Sequence, residues 1–478
     1  MDAFGPRQAD GDDRAARGYR VLMIDLVGLA PDADGRPDPA AVKAHVEARG
    51  GSFRLGPCDP AEPVAPGTIA FFYMPHLHGP DDILAEADGR YDAVIAAATV
   101  VPADAVFREG GVRIGTGTGN MQSRFWGGPN GGGPAPLMNT PGVNSRATAQ
   151  MALKAMLRVL PDLPVESLHA RVLEGSFDTG RDLHTVPTAK LEGMRAAILG
   201  YGNIGRELAK LCRAFGMRVE IYARSHHRDW ILSEGFEHAP TIEAALTGAD
   251  LVSVHVGLGL LVPETGRYAN IGLVGEAAFA AMKPGAVLIN YDRGEVVDAD
   301  ALDRALASGT VRHCAVDADL FVAADGTLSG PMVPYREMAL KHPGKLALLP
   351  HAAADTDHPS RVEGAVQAVD QIYDAMLARV VRNAKGPVPA GYADGGLASV
   401  RGVGEVTDAT LAQAFADPGR RADIRFEVQQ LAALLAEIDA AADPAGRSRV
   451  LREHAAALVM AANRTTTLLR ELGLEGRR

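Results

Sequence analysis

The stretch Ala196-Ala197-Ile198-Leu199-Gly200-Tyr201-Gly202-Asn203-Ile204-Gly205 holds the key to how this chain folds. Four apolar residues read as a short buried strand, three glycines follow at the spacing of a tight turn, and Leu208, Leu211 and Phe215 continue at helical spacing. In such a strand-turn-helix unit the first glycine permits the turn. The second lets the backbone approach a pyrophosphate, and the third lets helix pack on strand. The helix N-terminus adds free N–H groups and a positive dipole end. The stretch therefore predicts a dinucleotide-binding α/β unit with Gly200, Gly202, Asn203, Ile204 and Gly205 around the phosphates.

Working outward, short apolar runs alternate with amphipathic segments on both sides. Upstream lie Val21–Ile24, Thr68–Tyr73, Ala93–Ala96 and Val112–Ile114; downstream lie Val219–Tyr222, Leu251–His255, Ala286–Ile289, Cys314–Val316 and Leu346–Leu349. Runs of this kind are the signature of buried parallel strands. A helix is predicted from Ser145 to Leu160, where Ala149, Leu153, Met156 and Leu160 recur before Pro161. The Gly- and Pro-rich stretch from Trp126 to Pro134 reads as a loop. After Asn383 the composition changes, and two helical patterns follow. One aligns Ile424, Val428, Leu431, Leu435 and Ile438; the other aligns Leu451, Ala455, Leu458, Ala462, Thr465, Leu469 and Leu472 in a coiled-coil-like seam. They read either as a hairpin lying on their own subunit or as an oligomer contact.

With 478 residues the chain has room for about three domains. Its 48 Lys+Arg against 59 Asp+Glu leave a formal charge of -11, which argues against nucleic acid or an anionic membrane as partner. Cys58, Cys212 and Cys314 are odd in number and far apart, so neither a disulfide framework nor a metal site is expected, and a cytoplasmic location fits. Met1 to Gly18 is polar and reads as a flexible tail without the apolar core of a signal peptide. No uncharged apolar run reaches the length of about 18 residues that spans a bilayer.

An NAD-binding unit of this type places a carboxylate at the end of its second strand to hold the adenine ribose. Here that strand ends in Ala223-Arg224-Ser225, with Arg228 nearby. The missing acid removes a group that would repel a 2'-phosphate, and Arg224 and Ser225 could hold one. NADP is therefore favoured over NAD.

Two more stretches put reactive residue types just after predicted strands, Arg293-Gly294-Glu295-Val296-Val297-Asp298 and Pro350-His351. Together with the glycine turn and Met282-Lys283-Pro284-Gly285, they make the chain from about Tyr19 to Asn383 resemble the D-isomer-specific 2-hydroxyacid dehydrogenase family, which includes phosphoglycerate, glycerate and formate dehydrogenases. The resemblance implies two Rossmann-like parallel-sheet lobes. A flavodoxin-like substrate domain would take residues 19–143 and 351–388, and an NAD(P)-binding Rossmann domain residues 144–350. Residues 1–18 would form the tail and 389–478 a helical extension. It also implies a homodimer and a small 2-oxo or 2-hydroxy acid as substrate.

Residue by residue, the resemblance implies that Arg293 grips the substrate carboxylate, a task suited to its planar, permanently charged fork. It implies that His351 moves the proton, since imidazole titrates near working pH. Asp317 would approach the nicotinamide, with Tyr291 beside it, and the backbone of Thr118 and Gly119 would receive the carboxylate. The chain departs from the family at three places. Where a glutamate partner for His351 belongs stands Val322; Asp325 is the favoured substitute and Asp319 the other candidate. The stretch 126–134 replaces a family helix and either closes over substrate with Trp126 as a wedge or is a surface excursion. Gln150 takes the place of an acidic residue at the start of the linker helix. These departures keep two alternatives open: a dinucleotide-sensing regulatory or scaffold protein, and a formate-dehydrogenase-like hydride transfer without proton transfer.

Overall fold

The computed structural model describes residues 17–26, 29–160, 162–323, 325–355, 357–396 and 444–453, together with 433, 436 and 440. The described chain forms two compact units, one running to Met151 and resuming at His351, the other spanning Ala152–Pro350.

The first unit is built on strands β1 (Tyr19–Met23), β2 (Ser52–Leu55), β3 (Ile69–Tyr73), β4 (Ala93–Ala96), β5 (Gly110–Arg113) and β6 (Leu137–Asn139). They pair in parallel in the order β6-β5-β4-β1-β3-β2, and Ala384–Lys385 adds an antiparallel edge to β6. Their apolar residues point alternately to two covered faces. Val21, Met23, Phe71 and Tyr73 pack under α1 (Ala40–Ala48) and the returning helix His358–Tyr373. Leu22, Ile24, Ala70 and Phe72 pack with α2 (Pro80–Ala87) and with Trp126.

Trp126 corrects one expectation. The glycine-rich stretch forms two short 3-10 turns, Arg124–Trp126 and Gly128–Asn130, and Trp126 is fully buried between them and the sheet. Its ring stacks on Phe107 at 6.1 Å, and its Nε1 donates to the Met121 carbonyl at 3.0 Å. A Cβ on Gly131 would stand 1.8 Å from the Lys385 carbonyl oxygen, so these glycines serve close packing against the edge strand. A large ring gains more from core burial than from solvent, so Trp126 is a structural plug and not a wedge over substrate.

The second unit begins in α3 (Ser145–Arg158), within which the division falls, and continues through α4 (Val165–Leu173) and one-turn α5 (Thr179–Asp182). Its sheet holds β7 (Arg195–Leu199), β8 (Arg218–Tyr222), β9 (Glu237–Ala239), β10 (Leu251–Val254), β13 (Ala286–Asn290), β14 (Val311–Asp317) and β17 (Leu346–Leu349). Two exposed hairpins, β11 (Leu261–Val262) with β12 (Arg267–Tyr268) and β15 (Phe321–Val322) with β16 (Leu328–Ser329), stand outside it. The order β17-β14-β13-β10-β7-β8-β9 is parallel throughout. The chain runs outward from β7 to β9 and then returns to β10, so the direction of winding reverses between β7 and β10. Doubly wound sheets bind their ligands at the carboxyl ends of strands flanking such a reversal. Helix α6 (Asn203–Ala214) starts there and lays Leu208, Ala209 and Cys212 on the sheet.

Of the expected helical extension, the helix Pro444–Glu453 is described; both apolar seams lie largely outside the described residues, as does most of the expected tail. Among the described residues no helix is long and apolar enough to cross a membrane.

Candidate active site

The glycine turn has the geometry that phosphate binding requires. Gly200 takes φ +105°, and a Cβ there would stand 2.1 Å from the His255 carbonyl oxygen. A Cβ on Gly205 would stand 2.1 Å from the Gly200 oxygen, so strand and helix touch backbone to backbone. At Gly202, the N-cap of α6, nothing lies within 4 Å of that position. Two glycines therefore close the turn and the third leaves it open. Asn203 is exposed and Ile204 half-buried at the mouth. The first turn of α6 is clamped from behind, where Glu234 accepts from the Arg206 Nε at 2.8 Å and from the Tyr201 hydroxyl. Burial works to raise the Glu234 carboxyl, but Arg206 and Tyr201 outweigh it and hold it below its ordinary value.

Beyond β8 the chain bends into a 3-10 turn, Ser225–His227, with Arg224 as its N-cap. Arg224, Ser225, His226 and Arg228 are exposed, and the His226 and His227 rings lie 4.1 Å apart. Burial lowers the His227 pKa, and the neighbouring His226 and Arg224 charges add to this. Sequence reasoning singled out Arg224, Ser225 and Arg228 but passed over the histidine pair, whose adjacency in a basic run was the available signal. The cradle fits a dinucleotide, and the strand end offers cations and a hydroxyl where an NAD site offers a carboxylate.

At the carboxyl end of β13 the loop carrying Arg293 is fixed from three sides. Asn290 Nδ2 donates to the Arg293 carbonyl at 3.0 Å, the Tyr335 hydroxyl donates to the Gly294 carbonyl at 2.5 Å, and Asp292 accepts the Gly257 N–H at 2.5 Å. Asn290 and Tyr335 were not foreseen; a lone Asn closing an apolar strand is the mark that points to the first. The Arg293 guanidinium is left one-third exposed, 3.9 Å from the Asp319 carboxylate. Beside it Tyr291 and Asp317 are both buried, and burial together with the Asp317 charge pushes the Tyr291 hydroxyl up to about 12. His255, at the end of β10, is held neutral by burial with a pKa of about 3, its Nε2 2.9 Å from Ser253 Oγ.

Asp325 is the favoured candidate for the partner of His351. It lies exposed in the loop of the β15–β16 hairpin, and its carboxylate accepts the Thr327 N–H at 2.9 Å. That bond is a local Asx-type turn. Among the candidate acids it is Asp319 that the fold brings to Arg293. Val322, where the resemblance leads one to expect a glutamate, is exposed on β15.

In the first unit, the Thr118 hydroxyl donates to the Pro129 carbonyl at 2.6 Å, which ties the glycine-rich plug to the loop that follows β5. Gly119 is exposed with open space around it, and the N–H groups of Thr118 and Gly119 take no backbone acceptor among the described residues. His351 follows β17, half-buried and at φ +57°, a backbone state uncommon for a residue with a side chain. Strain of this kind concentrates at functional positions. Among the described residues no group of three His, Cys, Asp or Glu side chains is placed to hold a metal ion.

Residues 156–353 match the family described as D-isomer specific 2-hydroxyacid dehydrogenase, NAD binding domain. A glyoxylate reductase of Aeropyrum pernix is 30% identical over 250 residues, 52% of this chain and 68% of that enzyme. A D-3-phosphoglycerate dehydrogenase of Rattus norvegicus is 32% identical over 248 residues, 51% of this chain but only 42% of that enzyme. In three dimensions the NAD+-bound 3-phosphoglycerate dehydrogenase of Entamoeba histolytica superimposes with a TM-score of 0.52 over 77% of this chain and 99% of its own, at 17% identity, which speaks for the fold alone. The glycine turn, the doubly wound sheet and these matches agree: the chain belongs to the D-isomer specific 2-hydroxyacid dehydrogenase family.

Proposed function

We propose that the protein is a reductase of small 2-oxo acids, running in reverse as a 2-hydroxyacid dehydrogenase, with NADP as its preferred cofactor. The observation that carries this reading is that one end of one sheet presents both an open phosphate turn at Gly202 and Arg293 on a braced loop. Bound nicotinamide supplies the hydride to C2 of the acid, or takes it up in the reverse direction. Arg293 grips the carboxylate through its fork and polarises the 2-oxo oxygen. The Thr118 and Gly119 N–H groups receive the same carboxylate. His351 gives the proton to the oxygen as it becomes a hydroxyl. Asp319 orients the Arg293 fork, and Tyr291 and Asp317 line the nicotinamide end. The direct test is NADPH consumption with a panel of 2-oxo acids. The exposed Val322 favours a second reading, a dinucleotide sensor with weakened catalysis, and NADPH binding without turnover on that panel is the result that would select it.

Arg224 and Ser225 hold the 2'-phosphate in this reading. An Arg224→Ala variant is expected to lower the ratio of kcat/KM for NADPH to that for NADH by about 10- to 100-fold, the worth of one or two charge-assisted bonds. A wild type that prefers NADH removes the basis of the assignment.

A homodimer fits the apolar side chains that α4 exposes. Val165, Val172 and Leu173 are 62%, 65% and 75% exposed, a patch that a second copy would cover. Leu173→Glu is expected to shift the protein toward monomer in size-exclusion light scattering, whereas an unchanged mass would place the contact elsewhere. The three thiols are free and buried, which suits a cytoplasmic setting.

A further inference from the structure

We propose that the second unit carries an effector site for a small monocarboxylate with an apolar body, at the amino ends of β8 and β9, and that filling it tightens cofactor binding. The glycine turn and Arg224 follow the carboxyl ends of β7 and β8, so the site stands at the opposite end of the same sheet. It goes beyond the reductase reading and takes from it only that the cofactor's phosphates lie at the glycine turn.

Where the chain leaves α6 and enters β8, a cavity of about 190 Å³ opens. Its apolar wall is made by Met217, Val219 and Phe236, all buried. Its charged wall is made by Arg213, in the last turn of α6, and Arg218, at the start of β8, with the Glu237 carboxylate at the start of β9. The Arg218 side chain is exposed and makes no hydrogen bond or ion pair among the described residues. Arg213 is half-buried; burial pulls its pKa below the ordinary value, and nearby Tyr201 and Glu234 offset only part of this. The carbonyls that end α6 do not compete for these cations, because Arg213 O accepts the Gly216 N–H at 2.9 Å and Cys212 O the Met217 N–H at 3.1 Å. Two guanidiniums against one carboxylate leave one positive charge over, which a single carboxylate balances. The buried apolar wall favours an anion that brings an apolar body with it over inorganic phosphate.

From this cavity a chain of contacts reaches the phosphate turn. Arg213 Nη1 donates to the Glu234 carbonyl at 2.6 Å, and the guanidinium carbon lies 4.2 Å from the centre of the Phe236 ring. Phe236 in turn meets Tyr201, which stands between the first two glycines of the turn, edge to face with ring centres 6.2 Å apart. The Glu234 carboxylate, on the same short segment, accepts from Arg206 and from the Tyr201 hydroxyl. Residues 234–236 therefore join Arg213 on one side to both clamps of the turn on the other. A carboxylate shared by Arg213 and Arg218 holds Arg213 against Phe236 and Glu234, which orders that segment before the cofactor arrives. Order established in advance lowers the cost of binding, and the coupling is reciprocal.

The test uses benzoate as the probe, at constant ionic strength. Calorimetric titration of the wild type is expected to give a Kd of about 1 mM. In cofactor fluorescence titrations, saturating benzoate should lower the cofactor Kd about five- to tenfold. Benzyl alcohol, which lacks the charge, and inorganic phosphate, which lacks the apolar body, should leave that Kd unchanged. Arg218→Ala, at an exposed position, should abolish the benzoate effect while keeping the cofactor Kd and the melting midpoint measured without benzoate, and Arg218→Lys should restore part of the effect. Arg293→Ala should retain the effect in full, which separates this cavity from the carboxylate grip proposed for the substrate. A cofactor Kd indifferent to benzoate, an undiminished effect in Arg218→Ala, or its loss in Arg293→Ala overturns the proposal. The titrations use whichever of NADPH and NADH the wild type binds more tightly, so failure of the 2'-phosphate assignment and failure of this site are read separately.

Discussion

Arg293→Lys is expected to lower kcat/KM for the preferred 2-oxo acid by about a hundredfold, and Arg293→Ala by about a thousandfold or more. A guanidinium meets a carboxylate with two parallel N–H bonds at fixed spacing, whereas an ammonium offers a point charge with no planar match. Each charge-assisted bond is worth about 1.5 to 3 kcal/mol, so loss of one accounts for the lysine value and loss of both for the alanine value. Folding should be nearly untouched. The loop backbone is braced by Asn290 and Tyr335 irrespective of the side chain at 293. The contact with Asp319 is a half-exposed pair at 3.9 Å, of a kind worth about 0 to 1 kcal/mol. Thermal denaturation should therefore show the same midpoint within a few degrees, and NADPH affinity should be retained. An Arg293→Lys enzyme within threefold of wild type would remove Arg293 from the carboxylate-gripping role.

Much of the fold was written in local patterns. The strand from Arg195 to Leu199 and its glycine turn stand where the apolar run and the three glycines place them, because each signal is local: a buried strand must be apolar, and a turn in which a Cβ would stand 2.1 Å from a carbonyl oxygen admits only glycine. What stayed hidden depended on partners distant in sequence. Trp126 sits in a glycine-rich string, and nothing local announces that Phe107, 19 residues earlier, will stack on it in the core. The N–H groups of Ala97, Ala98 and Thr99 after β4 converge on the carboxylate of Asp25, 72 residues upstream of Ala97, a closure that only the β1–β4 pairing creates. Asp325 is different, since the signal was present. Asp325-Gly326 between Phe321-Val322 and Leu328 is a hairpin sequence, and reading it as a turn would have assigned the carboxylate to its own backbone.

Gly202→Val and Gly200→Val are expected to fail in opposite ways, and the contrast isolates the phosphate site from the fold. At Gly202 nothing lies within 4 Å of a new Cβ, and the residue is an N-cap in extended conformation, φ -84° and ψ -165°. A Cβ there meets no atom of the protein. The valine methyl groups would occupy the opening through which a pyrophosphate approaches the N–H groups of α6. The Gly202→Val protein should keep its denaturation midpoint while its NADPH affinity falls by about a hundredfold or more, the equivalent of about 3 kcal/mol of lost phosphate contact. At Gly200 the backbone has φ +105°, and a Cβ would stand 2.1 Å from the His255 carbonyl oxygen. Neither that backbone state nor that contact is open to valine. Strand β7 and β10 pair just before this point, with Leu199 opposite Val254, so the clash would force apart the centre of the sheet. Gly200→Val should lower the midpoint by several degrees or leave the protein insoluble, with loss of binding as a consequence. Titration of NADPH fluorescence alongside a thermal melt separates the two cases. Normal NADPH affinity in Gly202→Val would show that the opening above α6 is not where the cofactor's phosphates lie.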